Sequence, residues 1–374
     1  MLNSIKIKGY KSIQELDLNL NKINILIGAN GAGKSNFISF FKLLHSMMQY
    51  PGKLEFFIGR SGRANSLLFD GASITPQIQA ELYFETDAGR NDYSFRLFHA
   101  ASDSLIFADE QYRFCRNTFE GLADWRSLDS GHKEAKLIDL NNDGDATARK
   151  IFRLIQSCAI YQFHNTSETA RIRQRWSIED NRYLREDAAN LAPFLLRLKE
   201  TEPKYYKIIV DTLHQITPFF ADFVLEPINH SVILQWTEIN TDLIFSAHQA
   251  SDGTLRTIAL LTLLLQPPDD LPDVLILDEP ELGLHPYAIN IIGGLIESVS
   301  HHSQVIVATQ SPLLIDCFEP EDIIVVERKN RQSYFSRLEE SKLEEWLEGH
   351  RGRGAEGQRG RGAEGKFLIN QDLY

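Results

Sequence analysis

The chain has 374 residues, 43% of them hydrophobic and 24% charged, with a formal net charge of -12. That balance is close to the globular average, so a wholly disordered or membrane-embedded chain is excluded, and the length allows one large domain or two to three smaller ones. The acidic field repels nucleic acid, so DNA binding would need a local basic patch. The longest apolar run, Leu255 to Leu265, ends at Pro267 and Pro268 and is roughly half of what spans a bilayer; it reads as a buried helix. The N-terminus lacks the long apolar segment of a secretory signal. Cys115, Cys158 and Cys317 form no CxxC pair, which argues against a disulfide framework or zinc site. A cytoplasmic protein without a membrane partner is expected.

In chain order, Ile5 and Ile7 alternate with lysines, Leu16, Leu18 and Leu20 alternate with polar residues, and Ile23 to Ile27 is mostly apolar, which predicts three short strands. A glycine-rich turn follows, then Phe37, Phe40, Phe41 and Leu44 at helical spacing, with a stop before Pro51 and Gly52. Residues 78 to 117 alternate as an antiparallel meander, an inserted β layer. A polar stretch at 141–145 precedes helical patterns at 147–157 and 188–215 and strand candidates at 223–225 and 231–237. The apolar helix of 255–265, a strand over 274–277, a helix over 287–299 and strands over 304–309 and 323–327 then alternate, which implies a parallel α/β sheet. The repeat RGRGAEGQ-RGRGAEGK across Arg351 to Lys366 has nothing to bury and reads as a flexible tail, with an arginine-glycine nucleic-acid tether as the alternative.

Gly28-Ala29-Asn30-Gly31-Ala32-Gly33-Lys34-Ser35 matches GxxxxGK[ST] between an apolar strand and a helix start. Glycines let several amide N–H groups face one anion, and the helix end adds positive partial charge. In this layout Lys34 reaches the β and γ phosphates and the Ser35 hydroxyl ligates Mg²⁺. Val274 to Pro280, VLILDEP, supplies a strand whose end presents two carboxylates: Asp278 for the metal and Glu279 as general base for the attacking water. Either motif alone has a bland reading, a glycine turn or a solvated acidic turn. Together they describe one nucleotide site, and ATP and Mg²⁺ are the expected cofactors.

Ser251-Asp252-Gly253 opens the apolar helix about two dozen residues before Asp278. This start resembles the ABC signature motif, which in that family contacts the γ-phosphate held by a second subunit. DEPELGLHP (Asp278 to Pro286) and the opening IKIKGYKSIQELDLNLNKINILIGANGAGKSN resemble the ATPases grouped with RecF, SMC proteins and OLD-type heads. The resemblance covers roughly residues 1 to 50 and 245 to 345 and implies a P-loop NTPase with an ABC-ATPase-like head, its α/β core over 1–50 plus 245–345; the residue patterns add a mainly antiparallel β layer over 51–145, an inserted helical subdomain with short strands over 146–244, and a flexible tail over 350–374. It also implies that Lys11 and Ser12 of the GYKS turn lie near the nucleotide, with Asn36 beside the P-loop.

The pattern departs from that family in places. The switch position, histidine in many ABC ATPases, is Gln310 in VIVATQSP; Ala250 stands where leucine is common; no Q-loop glutamine is evident after the first helix. His285 falls near the end of Asp278–Pro286, the stretch that resembles a Walker B and D-loop, at the expected subunit junction. No heptad insertion provides an SMC arm, and too little chain follows the last strand for the OLD nuclease domain. The implied function is an ATP-hydrolysing head that closes head-to-tail as a dimer, in RecF-like DNA repair or, alternatively, as a regulatory or anti-phage defence ATPase acting through a protein partner.

Overall fold

The computed structural model describes residues 1–117 and 123–338. Two six-stranded sheets pack with the helices Lys34–Met47 and Ala146–Gln156 between them. The first sheet runs Gln332–Arg337, Ile323–Lys329, Ile23–Ile27, Gln304–Thr309, Val274–Asp278, Cys158–Tyr161, and every neighbour is parallel except the terminal hairpin. Its strands are buried on both faces, as parallel strands are when helices cover each side. Ile27 pairs with Thr309 and Asp278 with Ala308, so the ends of three strands share one edge.

Side-chain alternation sends each strand into two cores. Leu26, Ile306, Val274 and Ile276 join a core under the antiparallel sheet, while Ile25, Ile27, Val307 and Leu277 join a core under the later helices. The helix Lys34–Met47 fills the first core because Phe37, Phe40, Phe41 and Leu44 repeat along it. Phe40 meets Tyr10 edge-on at 5.3 Å and stacks on Phe95 at 6.4 Å. In the second core, Asp252–Leu264 is buried on nearly every face and packs against Pro286–Val299 and Pro203–Ile216.

The antiparallel sheet runs Ile13–Asn19, Leu2–Tyr10, Gln77–Thr86, Gly89–Ala100, Ser104–Arg116, Arg126–Ser127. The first two strands of the chain therefore extend the meander rather than the parallel sheet. The short strand Cys158–Tyr161, just past the helical pattern of 147–157, completes the parallel sheet beside Val274–Asp278. The helical pattern over 188–215 is two helices, Leu191–Thr201 and Pro203–Ile216, because Pro203 cannot donate to the preceding turn and starts a new helix instead. The strand expected over 223–225 is Phe220–Phe223. The one expected over 231–237 divides into Ser231–Val232 and Gln235–Glu238, which pair in different sheets. The arginine-glycine repeat lies outside the described residues. No helix among the described residues is long and apolar enough to cross a membrane.

Candidate nucleotide site

The strand Ile23–Ile27 delivers the chain into Gly28, and the helix starts at Lys34. Two glycines here cannot be replaced without displacing backbone or packed side chains. A Cβ on Gly28 would stand 2.2 Å from the Val326 carbonyl oxygen, and one on Gly33, at φ 124°, would stand 2.0 Å from Ser333 Oγ. Ser333 Oγ donates to the Ala32 carbonyl at 2.6 Å and lies 2.7 Å from Ser12 Oγ, which accepts from Asn36 Nδ2 at 2.7 Å. Ser12 and Asn36 thus brace the loop from beneath. Lys11, at φ 49°, donates to Ser39 Oγ at 2.6 Å, a turn along the helix from Ser35. Gly31 and Ser35 are exposed, and Ala32 is buried.

Lys34 Nζ donates to the Gly28 carbonyl at 2.6 Å. Burial lowers its pKa, while Glu279, Asp278 and Glu281 act in the opposite direction, which places three carboxylates around this ammonium. Asp278 Oδ2 accepts from Gln162 Nε2 at 2.7 Å, and Gln162 Oε1 accepts from Lys42 Nζ at 3.2 Å. His164 Nε2 lies 2.9 Å from the Asp278 carbonyl oxygen; because that oxygen only accepts, the ring nitrogen carries the proton. Desolvation raises the Asp278 carboxyl above its ordinary value and Glu279 adds to it, against His164, Lys42 and Gln162.

Glu279 sits at φ 45° and is anchored by its N–H to the Ala308 carbonyl at 2.7 Å. Gln310 joins the two halves of the site: its Nε2 donates to Asn30 Oδ1 at 2.6 Å and to Glu279 Oε1 at 2.5 Å. One amide therefore touches the glycine loop and the acidic strand end, segments 249 residues apart in sequence from Asn30 to Glu279 (279 less 30).

Ser251 caps the helix Asp252–Leu264, accepting from Thr254 N at 3.1 Å. Asp252 pairs with Arg173 at 2.9 Å, and a Cβ on Gly253 would stand 2.6 Å from the Gly283 carbonyl. Arg256 donates to the Leu282 carbonyl at 2.9 Å and the His164 carbonyl at 3.0 Å. Among the described residues, no hydrogen bond joins Ser251, Asp252 or Gly253 to the glycine loop; Gly253 lies against Gly283, and Ser251 and Asp252 are exposed. His285 caps the next helix, with Nδ1 accepting from Tyr287 N at 3.3 Å, and is exposed.

Several residues at this edge were given no role by the motifs. Gln162 touches Asp278, but it follows Cys158–Tyr161 and lies far from the first helix in sequence. Lys42 reaches the site through Gln162, and Glu281 through Thr309 and the Gln310 N–H. The one available signal for Gln162 was a glutamine at the end of a short apolar run.

The donor set fits magnesium triphosphate. Ser35 and Asp278 are hard oxygen donors, and Asp278 Oδ1 takes no hydrogen bond among the described residues. Among the described residues, no group of three His, Cys, Asp or Glu is placed to build a protein-only cage. Magnesium typically takes one or two protein oxygens and fills its remaining positions from phosphate and water.

Residues 23–316 match the family described as "AAA domain, putative AbiEii toxin, Type IV TA system". The chain belongs to this AAA family. No curated protein matches the sequence. The fold is similar to an Smc head bound to the C-terminal winged-helix domain of ScpA, at 16% identity and a TM-score of 0.60 over 93% of this chain and 99% of that one. It is also similar to Smc heads from Pyrococcus yayanosii (13%, TM-score 0.56, 94% and 99%) and Pyrococcus furiosus (15%, TM-score 0.53, 94% and 99%). At such identities the likeness establishes the fold. The AAA-family chain has an α/β P-loop ATPase fold similar to that of Smc heads, with an antiparallel β layer beside its parallel sheet.

Proposed function

We propose that this ATPase binds Mg-ATP at Gly28 to Ser35, hydrolyses it, and closes head-to-tail on a second copy while ATP is held. The observation that carries the reading is the Gln310 amide between Asn30 and Glu279. The amide N–H groups of the glycine loop and the Lys34 ammonium bind phosphate oxygens. Ser35 and Asp278 would hold magnesium, which when bound neutralises phosphate charge. Glu279 accepts the proton of the attacking water, a contribution of about 10²- to 10⁴-fold. Gln310 holds that carboxylate in register with the loop.

Head-to-tail closure is supported by the exposed start of the signature helix, where Ser251 and Asp252 face solvent while Gly253 packs on the D-loop of its own chain. Each copy would then bring Ser251 and Gly253 to the other's nucleotide. Glu279→Gln keeps the hydrogen bond to Gln310 and removes the base, so ATP should trap dimers seen by light scattering. A variant that binds ATP yet stays monomeric sinks the composite site.

The head has two possible outputs. In the first, RecF-like reading it acts on DNA. In the second its ATP state is read by a protein partner, as in regulation or defence. The second is favoured by the family's association with a toxin–antitoxin system, by the Smc heads solved with ScpA, and by the acidic charge of -12. DNA stimulation of turnover that weakens steeply with salt would reverse that preference.

A further inference from the structure

Glu281 has no role in the mechanism above, yet it lies between the D-loop and the switch. Its Oε1 accepts from Thr309 Oγ1 at 2.6 Å and from the Gln310 N–H at 3.2 Å. Its Oε2 is buried without a partner among the described residues, although burying a carboxylate oxygen is costly. One residue further on, the Leu282 carbonyl accepts from Arg256 of the signature helix at 2.9 Å, and the next carbonyl, of Gly283, closes over Gly253.

A three-residue segment thus touches the signature helix at one end and the switch strand at the other. We propose that Glu281 is a positioning residue that sets the backbone and side chain of Gln310, so that displacement of the signature helix reaches the Glu279 carboxylate through the D-loop. The proposal rests on the nucleotide reading above and adds to it a mechanical link inside one chain. Without the Glu281 carboxylate, the Gln310 N–H and the Thr309 hydroxyl lose their shared acceptor. The Gln310 amide then no longer holds both Asn30 and Glu279.

The test is a double-mutant cycle on the full chain, with single-substrate ATP turnover as readout. Glu281→Ala should lower kcat on the order of 10- to 100-fold with KM for ATP little changed, as for an interaction used in the transition state. Gln310→Ala should lower it similarly, and the double variant should be no slower than Gln310→Ala alone. Glu281→Gln, which keeps an acceptor oxygen at Oε1, should retain activity within about threefold. Should Glu281→Ala unfold, the near-isosteric Thr309→Val reads the same link, with a loss that disappears in the Gln310→Ala background. Losses that multiply in either cycle overturn the inference. A wild-type chain without turnover overturns instead the reading on which it rests.

Discussion

Buried carboxylates occur in both sheets, but their partners differ. In the antiparallel sheet Asp92 takes both Nε and Nη2 of Arg90, at 2.8 and 2.9 Å, and Arg113 Nε at 2.7 Å; Arg113 in turn stacks on Trp125 at 4.2 Å. Glu110 there accepts from Tyr93 Oη at 2.8 Å and from the N–H groups of Lys136 and Leu137 at 2.9 and 3.2 Å. At the edge of the parallel sheet the side chains of Asp278 and Glu279 each take a single neutral amide, and no ion pair among the described residues reaches either. The first group is electrostatically complete. The second keeps unused acceptor capacity beside a lysine, which is the state a phosphate-bound cation and an activated water require.

That contrast can be broken by exchanging its outcomes. Lys34→Met should reduce ATP turnover by about 10³-fold or more, since the charge that meets the phosphates is lost, and should leave the unfolding midpoint nearly unchanged. Asp92→Ala should do the reverse. Removing one member of a buried, hydrogen-bonded charge cluster leaves Arg113 unpaired and costs about 3–5 kcal/mol, while the folded fraction keeps its turnover. Denaturant unfolding and turnover per folded molecule, measured on both variants, decide the matter. If Asp92→Ala loses catalysis without losing stability, the antiparallel layer is part of the site.

A smaller effect separates neutral from charged support inside the site. Gln162 can present either oxygen or nitrogen to Asp278, and the Lys42 ammonium, which only donates, selects the oxygen for itself and leaves the N–H₂ for the carboxylate. Lys42→Met should lower turnover about tenfold at low Mg²⁺, equivalent to ~1.4 kcal/mol, and the loss should shrink as Mg²⁺ is raised. A loss that Mg²⁺ does not relieve would show that Lys42 acts elsewhere.

The same contrast explains what could be read from residue order. The glycine loop and VLILDEP are contiguous, each flanked by its strand or helix, so their chemistry was visible locally. Their meeting followed from the alternation of strands and helices. The strand character of 5–7 and 16–20 was equally visible, but not the sheet: pairing of Ile7 with Ala80 is nonlocal, and alternation carries no address. Gln162 escaped because the antiparallel layer separates it from the first helix, and because a four-residue run such as Cys158–Tyr161 has no period to distinguish strand from helix. Glu281 was in plain sight inside DEPELGLHP. Its role depends on where the backbone of Gln310 passes, which only the register of Asp278 with Ala308 reveals.

The smallest effect concerns pH and tests whether the antiparallel layer is as closed as its hydrogen bonds suggest. Desolvation raises the Glu110 carboxyl above its ordinary 4.5, against the Tyr93 hydroxyl, the two backbone N–H groups and His132. The folded protein therefore binds this proton more readily than the unfolded chain. Stability from that proton is fully present below pH 4.5 and is lost as pH rises through the folded pKa. Glu110→Gln cannot titrate, and it sets an amide N–H₂ against one of the donors that Glu110 now satisfies, so it should be less stable throughout. Its deficit relative to wild type should narrow as pH rises from 4.5 toward neutrality, in urea unfolding series at fixed ionic strength. A deficit that widens over that interval would mean Glu110 is held ionised by its donors, and that the layer stabilises charge as strongly as it excludes water.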